Sequence, residues 1–145
     1  MPLKPILGDT KEFCFVVLKL TNASGKVVSR NTYWMAANND YKSLNNLDNA
    51  NLATKVIKAE KGYKEDKYTL QITNSSKRIA FFVRPQLMIK GEEVMPSYWS
   101  ANYFSLAPGE STTVNVSAPT AKLGNEKPSV LVSGWNVKAQ DLILP

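Results

Sequence analysis

The stretch Arg78–Leu106, RIAFFVRPQLMIKGEEVMPSYWSANYFSL, decides the fold. Its first half, Ile79–Lys90, is the densest apolar run in the chain and is rich in the β-branched and aromatic residues that suit strands. Phe81, Val83 and Leu87 fall on one face; Phe82, Arg84 and Met88 fall on the other. Pro85 brings no N–H to a ladder, so the strand bends, bulges or meets an edge there. Gly91-Glu92 turns the chain, Val94–Trp99 runs on into Ser100–Phe104, and Ala107-Pro108-Gly109-Glu110 is a second turn. A central strand between two turns calls for neighbours that cover it, and the flanking sequence supplies them.

Upstream, Phe13–Leu20 and Lys26–Met35 read as two strands joined by the turn residues Thr21-Asn22-Ala23-Ser24-Gly25, which makes a hairpin. Ala36–Ala53 is rich in Asn, with Asp40 placed to cap a short helical turn. Thr54–Glu60 and Lys67–Thr73 read as strands around the polar loop Lys61–Asp66; in the second, Tyr68, Leu70 and Ile72 alternate with Thr69, Gln71 and Thr73. Downstream, Thr112–Ala118 is a strand with Val114 and Val116 inward, Pro119–Pro128 is a polar loop, and Ser129–Val137 is the last strand. The apolar tail Asp141–Pro145 suits an added edge strand or a neighbour. About seven strands with almost no helix predict an all-β chain, an immunoglobulin-like antiparallel β-sandwich. Residues 1–12, with Pro2, Pro5 and Gly8, read as a lead-in, and residues 13–145 as a single domain.

Composition excludes more than it identifies. The 145 residues suit one domain with a useful core. The chain has no His, which excludes Ser-His-Asp chemistry and argues against a zinc site; no metal or cofactor is expected. Cys14 stands alone in the apolar run Phe13–Val17, so it makes no internal disulfide and reads as a small buried hydrophobe. Glu92-Glu93 is the one adjacent Glu pair, but neighbours on a strand point apart, whereas a glycosidase needs carboxyls about 5–10 Å apart across a cleft. The net charge of +6 comes from lysines spread among Glu and Asp, without a basic block, so nucleic acid is not an expected partner. No apolar run is long enough to span a membrane, and Met1–Pro5 lacks the apolar core of a secretory signal. Three glycosylation sequons begin at Asn22, Asn74 and Asn115, and they matter only in a eukaryotic secretory pathway. The aromatics Tyr33-Trp34, Tyr98-Trp99, Tyr103-Phe104 and Trp135 serve either as sugar-stacking surfaces or as core and interface filling.

Taken in order, Asn31-Thr32-Tyr33-Trp34, Ala80-Phe81-Phe82-Val83-Arg84, Pro96-Ser97-Tyr98-Trp99-Ser100-Ala101-Asn102-Tyr103-Phe104-Ser105-Leu106, Pro108-Gly109-Glu110 and Gly134-Trp135-Asn136 form a recognisable series. The series resembles the C-terminal immunoglobulin-like domain of glycoside hydrolase family two enzymes, in the exo-β-D-glucosaminidase and β-mannosidase branch. Where members often carry Asp, this chain has Ala101. The resemblance implies a parent that removes terminal sugars from β-linked glycans with retention, using two glutamates on a separate barrel domain. It therefore implies no catalytic residue here, an accessory role, the parent's other domains as partners, and glycan as a second one. It also implies a periplasmic or secreted bacterial parent, while the chain itself leaves the compartment open. Trp34, Tyr98, Trp99, Asn102, Tyr103 and Trp135 are the residues assigned to interdomain or sugar contact. Two other readings stand beside it: an independent carbohydrate-binding sandwich, and a structural module unrelated to sugar.

Overall fold

A computed structural model describes residues 13–145; the expected lead-in, 1–12, lies outside the described residues. The chain divides into two compact units, Met1–Leu47 and Asp48–Pro145.

In the first unit β1 (Cys14–Thr21) and β2 (Val27–Met35) pair antiparallel, from Cys14 opposite Met35 to Thr21 opposite Val27. This is the expected hairpin. The Asn22 side-chain oxygen accepts the backbone N–H groups of Ser24 (3.1 Å) and Lys26 (2.9 Å), which gives the turn its own hydrogen bonds. Two short 3₁₀ turns follow, Ala37–Asn39 and Lys42–Asn46. The Asp40 carboxylate accepts the Lys42 N–H at 3.1 Å, but the cap position of the second turn is held by Tyr41 without a side-chain cap bond, so Asp40 sits one residue ahead of the capping place the sequence suggests. Asn38 and Asn39 sit at φ of 55° and 57°, the left-handed region that Asn tolerates.

The second unit holds two sheets. One has the order β3 (Leu52–Glu60), β4 (Glu65–Asn74), β9 (Ser111–Pro119), β7 (Tyr98–Trp99). The other has the order β11 (Val137–Ile143), β10 (Ser129–Gly134), β5 (Ala80–Ile89), β6 (Glu92–Glu93), with β8 (Phe104–Leu106) also on β5. The strand ladders are antiparallel. Alternation sends one row from each strand inward: Tyr68, Leu70 and Ile72 on β4, Val114, Val116 and Ala118 on β9, Val83 and Leu87 on β5, and Val130 and Val132 on β10. These residues form one buried cluster between the sheets. Each such aliphatic contributes roughly 1.5–3 kcal/mol relative to exposure.

The central strand and its Gly91 turn fold as read, but Val94–Phe104 is not continuous: Tyr98–Trp99 pairs with β9 in one sheet, and Phe104–Leu106 returns to β5 in the other. Pro85 pairs with Val132 of β10 on one side. On the other side β8 covers Ala80–Val83 and β6 covers Met88–Ile89, so Pro85 falls in the gap between them, an edge position inside a central strand. Lys90 (φ 51°) and Gly91 (φ 84°) form the two-residue loop to β6, both left-handed as a twist-matched hairpin loop requires.

Two boundaries differ from the sequence reading. Pro119–Pro128 is not all loop: Thr120–Leu123 forms a short helix, α1, and buries Leu123. Ser129–Val137 is not one strand. It breaks after Gly134, and Val137 starts β11, which carries the tail along β10 as an edge strand. A Cβ on Gly134 would lie 3.0 Å from the Phe81 carbonyl oxygen and 3.2 Å from Val137, so a larger residue fits only if these neighbours give way by a few tenths of an ångström.

Two asparagines are buried and satisfied. The Asn136 amide nitrogen donates to the carbonyls of Asp48 and Ile79, both at 2.8 Å, and its oxygen accepts the Phe81 N–H at 2.9 Å. The Asn74 amide nitrogen donates to Arg78 (2.7 Å) and Leu106 (2.8 Å), and its oxygen accepts the Ser76 N–H at 3.0 Å. The sequon at Asn74 is therefore committed to the fold.

Candidate functional site

The six residues singled out in the sequence occupy three places. The first is a strip beside β5. The β5–β8 register shifts between Ala80 and Val83, and Phe82 in that bulge has φ of 51°. Trp135 donates its backbone N–H to the Phe81 carbonyl at 2.9 Å. Edge-to-face contacts then link Trp135 to Phe81 (6.4 Å between centroids), Phe81 to Phe82 (4.5 Å) and Phe82 to Tyr103 (6.2 Å). The Arg84 guanidinium stands 5.9 Å from the centre of the Tyr103 ring and donates to Glu93 at 2.9 Å, where Gln86 also donates at 2.8 Å. Tyr103 and Trp135 remain more than half exposed. Asn102 accepts the Tyr103 N–H through its side-chain oxygen (3.0 Å) and donates to the Pro85 carbonyl at 3.4 Å. Tyr103 has φ of 53°, so two bulky aromatics of this strip occupy the sparse left-handed region. Tyr103, Asn102 and Trp135 are thus brought together. Phe82, Arg84 and Gln86 join them, and alternation along β5 was the signal for those three.

The second place is a trough of about 480 Å³ on the outward face of the β3-β4-β9-β7 sheet. Tyr98 opposes Ser117, which opposes Lys67; Asn115 opposes Thr69 in the next row. Trp99 opposes Val116 and packs against the core, with its indole N–H donating to the Ser97 hydroxyl at 3.2 Å. The Thr69 hydroxyl donates to the Asn115 side-chain oxygen at 2.9 Å, and the Ser100 hydroxyl accepts the Asn115 backbone N–H at 2.9 Å. Glu60 and Glu65 close one end. The hydrogen bond from Lys67 holds the Glu65 carboxyl below its ordinary range, against a smaller desolvation effect, and Glu65 in turn raises Lys67.

The third place is the hairpin unit, where Trp34 opposes Phe15 and is 40% exposed. The Glu92-Glu93 pair lies in β6, with Glu93 engaged by Arg84 and Gln86. Cys14 is half-buried at the start of β1.

Comparison with known proteins gives this architecture a family. A model of the exo-β-D-glucosaminidase Ig-fold domain matches residues 31–137. The exo-β-D-glucosaminidase of Amycolatopsis orientalis is 35% identical over 83% of this chain, and that of Streptomyces avermitilis is 32% identical over 85%. The chain spans only 14% and 16% of the length of these two relatives. The crystal structure of the Amycolatopsis orientalis exo-chitosanase CsxA superposes with a TM-score of 0.82 at 29% identity, covering 94% of this chain and 19% of that one. The chain belongs to the exo-β-D-glucosaminidase Ig-fold domain family.

Proposed function

We propose that this Ig-fold domain is the non-catalytic accessory module of a larger retaining β-glycosidase that removes glucosamine from the ends of β-linked glycans. One observation carries the reading: the family match runs over 31–137, while the chain accounts for 14–16% of the relatives it matches. Both relatives are glucosaminidases, which favours that sugar over mannose within the branch that the sequence resembles. The catalytic glutamates belong to another domain, and the partners of this module are the parent's remaining domains. The family match crosses the boundary between the two compact units, which supports residues 13–145 acting as one module. The strip of Tyr103, Trp135, Phe82 and Arg84 has the Trp, Tyr and Arg content of an interface core, and we assign it to interdomain contact.

The test is twofold. Antibody to this chain should detect a native product several times heavier than 16.1 kDa. That product should release p-nitrophenol from p-nitrophenyl β-D-glucosaminide, and the isolated chain should not. A native product of the chain's own mass, or turnover by the chain alone, overturns the reading.

A further inference from the structure

We infer that the trough on the β3-β4-β9-β7 sheet is a binding site for a β-linked glucosamine unit. The choice of sugar rests on the proposed function above; the site itself rests on the trough.

Its volume, about 480 Å³, is that of a small-ligand site, for which roughly 300–1,000 Å³ is usual. Its lining is amphipathic in the way a pyranose is. The Tyr98 ring, 63% exposed at the edge of the sheet, offers a flat apolar surface for the C–H face of a sugar. Beside it, cross-strand pairing sets the hydroxyls of Ser117 and Thr69 and the amide of Asn115 in adjacent outward rows. Thr69 already satisfies the Asn115 oxygen, which orients the amide and leaves its NH₂ as a donor for a ring hydroxyl. One end of the trough carries two carboxylates, each set against a lysine. Glu60 is paired with Lys58 at 2.9 Å and Glu65 with Lys67 at 2.7 Å, all four side chains between 44% and 62% exposed. Exposed pairs of this kind hold weakly, so a ligand ammonium competes for the same oxygens. An anionic sugar meets two carboxylates instead. Aromatic shelf, hydroxyl and amide rows, and carboxylates at one end together fit the 2-amino sugar.

The experiment is a ¹H–¹⁵N titration of the whole chain with the β-1,4-linked glucosamine trimer and, separately, with its fully N-acetylated counterpart. The Asn115 side-chain amide and the Trp99 indole N–H should shift saturably with the amine trimer, with a Kd of about 1 mM for so small a contact. The acetylated trimer should bind several-fold more weakly. Tyr98→Ala, on an exposed ring, should keep the dispersed spectrum and lose about tenfold in affinity. The double variant Glu60→Gln, Glu65→Gln should remove the preference for the amine. The absence of saturable shifts at Asn115 and Trp99, or shifts confined to Tyr103 and Trp135, overturns the site. Equal binding of both trimers overturns its ammonium end. A parent that cleaves glucosaminides while the trough stays silent refutes this inference alone. Saturable binding in the trough, with a parent inert on glucosaminides, refutes the accessory reading and leaves the site standing.

Discussion

Asn136 ties three separate stretches of backbone together with one side chain. Its amide reaches the carbonyls of Asp48 and Ile79 and the N–H of Phe81, all within 2.9 Å, in a position only 5% exposed. Its own carbonyl accepts the Ala50 N–H at 2.8 Å. Asn136→Ala removes the side-chain partners and leaves buried polar groups unpaired, at a cost of about 1–3 kcal/mol for a first orphan and more for the set. Asn136→Asp should be worse at neutral pH, because a carboxylate then faces two carbonyl oxygens. Urea unfolding midpoints of the two variants and the parent chain check the order; an Asp variant as stable as the parent refutes the keystone role. The sequence shows Asn136 only as part of the Gly134-Trp135-Asn136 block, and Asn74 only as the first residue of a sequon. Nothing local marks either as buried. Their partners lie as far off as Asp48 for Asn136 and Leu106 for Asn74, so the signal that they are keystones exists only after folding.

At the scale of elements, the β3–β4 connection is pinned by a buried carboxylate. Asp66 is 3% exposed. It accepts the Gly62 N–H at 3.1 Å, lies 3.1 Å from the Thr120 hydroxyl at the start of α1, and faces the Lys61 ammonium at 3.3 Å. Lys61 also donates to the Tyr68 hydroxyl at 2.6 Å. Burial pushes the Asp66 carboxyl up, but the bonds from Gly62, Thr120 and Lys61 outweigh it and hold the group below its ordinary 3.8. The sign follows from linkage. A depressed carboxyl stabilises the fold fully above 3.8, and that stabilisation is lost as pH falls through the lower folded-state value. Asp66→Asn should therefore lower Tm at pH 7, and the gap between variant and parent should narrow below pH 3.8. A gap that stays constant down to the acid limit shows that the carboxylate charge plays no part. The strands on either side were legible, because Tyr68, Leu70 and Ile72 alternate with polar residues. The staple was not, since Lys61–Asp66 reads as an ordinary charged loop and Thr120 lies 54 positions from Asp66. Helix α1 was missed for a related reason: four residues are too few to show a helical period.

For the molecule as a whole, the buried cluster lies entirely within the second unit, from Ala50 to Leu144. The sandwich was legible because that unit alternates cleanly on β4, β5, β9 and β10. The division of the chain was not, because β1 and β2 carry apolar residues on both faces, as in Val16-Val17 and Val27-Val28, and such strands do not declare a buried side. In the structure Leu18, Leu20, Val27 and Val28 are 46–62% exposed, and no described residue of the first unit is buried. A two-stranded hairpin with that exposure has little of its own to resist opening. Local opening should therefore need far less free energy in β1 and β2 than in the sandwich strands. Amide hydrogen exchange on the intact chain should show the slowest exchange at Leu70, Ile72, Val114, Val116, Val130 and Val132, the residues packed between the sheets. Amides of Val16–Leu20 and Ser29–Tyr33 should exchange faster by on the order of a hundredfold or more. Equal protection of the two sets would mean that the hairpin opens only when the sandwich does. The chain would then unfold as a single cooperative body, and the separateness of its two units would have no consequence for stability.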